Sequence, residues 1–62
     1  MKLVEFTDFS DVKLYVNPNH VTFVRAASDQ GFTIINFNDN HSVTVKGEVG
    51  GVVAALFNVG KL

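Results

Sequence analysis

A chain of 62 residues holds one domain, residues 1–62, and at this length folding buries only about 60 % of the surface that the unfolded chain exposes. It has no cysteine, so disulfides and thiolate metal sites are excluded, and its two histidines, His20 and His41, sit in no tight ligand motif of the kind a structural zinc needs. Five Lys or Arg against six Asp or Glu give a net charge of −1, with neither the basic stripe of a phosphate binder nor the dense carboxylates of a nucleic-acid mimic. Small domains without disulfides or a metal are commonly stabilised by a partner subunit, so oligomerisation is the expected staple.

Residues 2–6 read as a short strand. The apolar stretch there is broken by Glu5 and Asp8 and is too short for a secretory leader. No segment approaches the roughly 18 apolar residues that span a bilayer, and a cytoplasmic location is expected. Thr7 to Asp11 group polar turn formers around Phe9. The segment Val12–Val16 alternates, with Val12, Leu14 and Val16 on one side and Lys13 and Tyr15 on the other, as in a half-buried strand. Asn17-Pro18-Asn19-His20 is a turn, since proline presets φ and Asn can bond its neighbouring backbone.

Val21–Ala27 and Phe32–Phe37 are rich in β-branched and aromatic residues and predict two strands. They are separated by a turn at Ser28–Gly31, where Gly31 is free to take positive φ. A further turn at Asn38-Asp39-Asn40 precedes a strand over residues 41–46. From Val49 the period changes: Val49, Val52, Val53, Leu56 and Phe57 form one face of a helix of about 11 residues. Glu48 sits at the start of this helix, and Asn58 and Gly60 are its stop signals. Gly50 and Gly51 are weak helix formers, which close packing on a sheet would explain. The expected class is α+β: an antiparallel β-meander of four to five short strands followed by one C-terminal amphipathic helix.

One helix covers one face of such a sheet. The expected core is Val12, Leu14, Val16, Val21, Phe23, Phe32, Ile34, Val43 and Val45 against the helix stripe. The opposite face then carries Tyr15, Val24, Ile35 and Phe37 with a polar rim, and these four are the candidate interface for self-association. In the alternatives, these strand-favouring residues face water singly, or the N-terminal segment with Phe6 and Phe9 folds over them.

Catalytic chemistry finds little support. Asp8 and Asp11 are spaced for a cation or an acid–base pair, but solvated turn aspartates are far commoner. Ser10, Ser28 and Ser42 lie in no nucleophile elbow, and the residues around Asn38–His41 lack the Gly and Glu of a calcium loop. No catalytic residue, cofactor or metal is expected. Lys13, Arg25 and Lys46, with Tyr15, define the alternative of a small nucleic-acid-binding regulator.

Tyr15-Val16-Asn17-Pro18-Asn19-His20-Val21 followed by Phe23-Val24-Arg25 resembles the FlbD-like family of very small bacterial, flagellar-associated proteins. Across residues 12–57 the order of strand, Asn-led turn, strand, polar hairpin, strand pair and helix is similar. The resemblance implies that fold and a non-enzymatic role. Together these readings give a homo-oligomeric interaction module, a dimer by preference, with a protein partner and a regulatory role compatible with it.

Overall fold

The computed structural model describes residues 3–38 and 41–57. The chain is α+β. Five short antiparallel strands, β1 (Val4–Thr7), β2 (Lys13–Val16), β3 (Val21–Ala26), β4 (Phe32–Phe37) and β5 (Ser42–Lys46), precede one helix, α1 (Val49–Phe57). The meander is interrupted after β2. β1 and β2 form a two-stranded hairpin, and β3, β4 and β5 form a three-stranded sheet in sequence order. A single antiparallel bridge between Asp8 and Val45 brings the end of β1 beside β5.

The interruption is local chemistry at Asn17-Pro18. The Asn17 side-chain oxygen accepts the Asn19 N–H at 3.0 Å, and Pro18 begins a one-turn 3-10 helix, Pro18–His20. The chain therefore turns out of the hairpin before β3 begins. At the next turn Gly31 takes φ +85, as the sequence predicts. Asp39 and Asn40 of the turn before β5, and the stop signals Asn58 and Gly60, lie outside the described residues.

The two faces of β3–β4–β5 are set by register. Ile35 lies opposite Val43 and Val24, and Thr33 lies opposite Val45 and Ala26. Directly paired residues share a face, so the inner face carries Val24, Thr33, Ile35, Phe37, Val43 and Val45. Ile35 and Val45 are fully buried there, in one cluster with Phe6, Val16, Val52 and Leu56, and Val4, Leu14, Val21, Val24, Phe37 and Val43 pack around it.

This corrects the expected core. Val16, Leu14, Val21, Val43 and Val45 belong to it, but Phe23, Phe32 and Ile34 face the other way and Val12 is exposed in the turn. In β3 the cause is a bulge between Val21 and Phe23: one extra residue, Thr22, reverses the alternation, so Val21 and Val24 both face inward and Phe23 outward. In β4 both alternate sets are apolar, and pairing to Val43 and Val45 selects Thr33, Ile35 and Phe37.

Helix α1, nine residues long among the described residues, lays Val52 and Leu56 into the cluster, and Phe57 remains exposed. Its first bond runs from the Val52 N–H to the Glu48 carbonyl at 3.0 Å. The junction before it is pinned twice. Gly47, at φ +124, donates its N–H to the Gly31 carbonyl at 2.7 Å, and its own carbonyl accepts the buried Thr33 hydroxyl at 2.7 Å. Gly50 and Gly51 are not sites of close packing: a Cβ on either would meet nothing within 4 Å. Among the described residues, no helix is long and apolar enough to cross a membrane.

Candidate interaction surface

The hairpin and helix cover the inner face of β3–β4–β5, which leaves the outer face as the surface to account for. Its strands present Phe23 and Arg25 from β3, Phe32, Ile34 and Asn36 from β4, and Ser42, Thr44 and Lys46 from β5. Phe23 is 56 % exposed, and Phe32 and Ile34 are half-buried.

The turn between β1 and β2 adds a second exposed aromatic. The Asp8 N–H donates to the Val12 carbonyl at 2.9 Å and the Asp11 N–H to the Asp8 carbonyl at 3.0 Å, with Asp11 at φ 68, a tight hairpin turn whose last residue is left-handed. The Asp8 carboxylate accepts the N–H groups of Ser10 at 2.8 Å and Val12 at 3.0 Å. The Asp11 carboxylate pairs with the Lys46 ammonium, which ties the turn to β5. Phe9, at the tip and 68 % exposed, joins Phe32, Ile34, Thr44 and Asp29 around an open depression of about 360 Å³. Asp8 and Asp11 are thus occupied in building the turn.

The four residues of the sequence-based interface are separated by the fold. Tyr15 is 62 % exposed on the hairpin, Ile35 is fully buried, and Val24 and Phe37 pack against the core. As an exposed group of four they do not exist in this chain. Phe6 covers Ile35, as the second alternative had it, whereas Phe9 lies on the far side of the sheet. The apolar second face is present, built from Phe9, Phe23, Phe32 and Ile34. The doubly apolar alternation of β4 was the available signal for Phe32 and Ile34; no residue in β3 announces the bulge that exposes Phe23.

A second depression of about 440 Å³ brings His20 and His41 together with Tyr15, Asn17 and Phe37. The His41 ring meets Phe37 edge-on, with centroids 5.7 Å apart. Among the described residues no serine lines this depression, and no three His, Cys, Asp or Glu side chains gather to hold a metal ion. The basic set is also dispersed in its charge. Lys13 pairs with Glu5 at 3.3 Å and Lys46 with Asp11, which leaves Arg25 the one member without an ionic partner among the described residues. On the outer face the Asn36 side-chain nitrogen is buried, with no hydrogen-bond partner among the described residues.

No protein-family model matches the chain, and no curated protein and no solved structure matches it either.

Proposed function

We propose that this chain is a non-enzymatic protein-interaction module that acts as a homo-oligomer, a dimer before any larger assembly. One observation carries the reading: the outer face of β3–β4–β5 holds Phe9, Phe23, Phe32 and Ile34 with no element of the described chain over them. Scattered exposed apolar residues are ordinary, but Phe9, Phe32 and Ile34 gather around one depression, with Phe23 farther along the same face, and an apolar cluster with a polar rim marks a contact surface. The small core adds weight, because burying this patch against a second subunit supplies the stabilisation that a domain of this size lacks.

A regulatory role in the bacterial cytoplasm fits a module of this kind, and the order of elements over residues 12–57 is compatible with the FlbD-like resemblance. Sedimentation over a wide concentration range tests the proposal. A mass that rises from one chain toward two is the expected result, and a single-chain mass at every concentration would refute it.

A further inference from the structure

We propose that two copies of this chain stack through their outer sheet faces about a two-fold axis, with Arg25 of each copy meeting the partner's Asp29. The inference rests on the homo-oligomeric reading above and adds the face, the symmetry and the charge pair.

The charges choose the occupant. Among the described residues the ion pairs are Lys13–Glu5 and Lys46–Asp11. Arg25 lies directly opposite Ile34 on the outer face, and Asp29 lines the depression that Ile34 shares. Both side chains border the same apolar patch, both are exposed, and neither has an ionic partner among the described residues. A patch that carries one unpaired charge of each sign is complementary to itself, because a two-fold axis makes every contact twice: Arg25 to the partner's Asp29 and the reverse. A partner of uniformly acidic or basic surface would leave one of the two charges facing its own sign.

The strands favour stacking over edge pairing. β3 is paired on one side only, but its bulge at Thr22 breaks the regular ladder, and Arg25 adds a charge, both devices that discourage strand addition.

Sedimentation equilibrium from about 1 µM to 1 mM is run on the wild type, Arg25→Asp, Asp29→Arg, the double charge swap and Phe23→Gln. The wild type is expected to dimerise. Each single swap sets like charges against each other and weakens the dimer by about tenfold or more, and the double swap recovers most of that loss. Phe23→Gln, at an exposed position, weakens the dimer by a similar factor while circular dichroism and melting at low concentration stay unchanged. In a mixture of isotope-labelled and unlabelled wild type, nuclear Overhauser contacts between chains are expected at the Phe23 and Phe32 rings. A wild-type dimer that is indifferent to the charge swaps, or that lacks those contacts, overturns this inference and leaves the homo-oligomeric reading standing. A wild type that stays monomeric throughout overturns both.

Discussion

The two alternate sets of β4, Phe32, Ile34 and Asn36 on one side and Thr33, Ile35 and Phe37 on the other, each hold one isoleucine, one phenylalanine and one polar residue, yet they have opposite fates. Ile35 is fully buried against Phe6, Val52 and Leu56, whereas its chain neighbour Ile34 looks onto an open depression beside Phe9. Side-chain type does not separate them; pleat and register do. A strand whose two alternate sets are both apolar has no inside of its own and takes one from the strand it pairs with, here from Val43 and Val45. The helix then settles over the face so chosen, and the unchosen face remains available for another chain.

The sharpest way to break this comparison is to truncate the two isoleucines in turn. Ile35→Ala empties a packed site and is expected to cost about 2–4 kcal/mol of stability. Ile34→Ala removes half-exposed methylenes and should cost about 1 kcal/mol or less when measured on the monomer at low concentration. Urea denaturation of the two variants reads the difference; equal costs would refute the contrast between the faces, and a larger cost at Ile34 would mean that they are assigned the wrong way round.

The two threonines of β4 and β5 sharpen the same contrast through polarity. Thr33 is buried on the inner face and donates its hydroxyl to the Gly47 carbonyl. Thr33→Val leaves that carbonyl without its partner, with an expected loss of about 1–3 kcal/mol. Thr44→Val lies on the outer face opposite Ile34 and should stay within about 0.5 kcal/mol of the wild type. Melting temperatures of the pair decide it. A Thr33→Val protein as stable as Thr44→Val would remove the pin that fixes the sheet to the helix junction.

A smaller effect belongs to the turn that delivers Phe9. Asp8→Ala strips the Ser10 and Val12 N–H groups of their acceptor and should cost about 1 kcal/mol, while Asp8→Asn, which keeps an oxygen at that position, costs less. Chemical denaturation of the three proteins checks the order. An alanine variant indistinguishable from the wild type would show that the turn needs no help from the Asp8 side chain.

Much of this fold was legible in the sequence because local chemistry dictates it. The Asn17-Pro18 turn, positive φ at Gly31, the alternation of Lys13 and Tyr15 against Leu14 and Val16, and the helical stripe of Val52 and Leu56 all follow from nearest-neighbour rules. The site was not legible, for two physical reasons. The bulge at Thr22 inserts a residue without a glycine to mark it, so simple alternation carried Phe23 inward when it lies outward. The face of Phe32–Phe37 depends on long-range register, and a one-residue error in register moves Ile35 and Phe37 from the core to the surface. Coverage of one face by one helix was half of the outcome: the β1–β2 hairpin, expected within the sheet, shares that face with α1 through Phe6 and Val16.

The glycines offer the last contrast, between positions where the backbone demands glycine and positions where it does not. Gly47 sits at φ +124 with both its amide and its carbonyl bonded, so Gly47→Ala should lose on the order of 1–3 kcal/mol. Gly50 and Gly51 lie inside α1, and a Cβ there would stand in open space. Replacing either by alanine shrinks the conformational freedom of the unfolded chain without a clash, so each should stabilise the protein by about 0.5–1 kcal/mol. Thermal melts of Gly50→Ala, Gly51→Ala and the double variant would show stepwise gains. A loss at either position would mean that the helix approaches another surface there, one that no described element supplies.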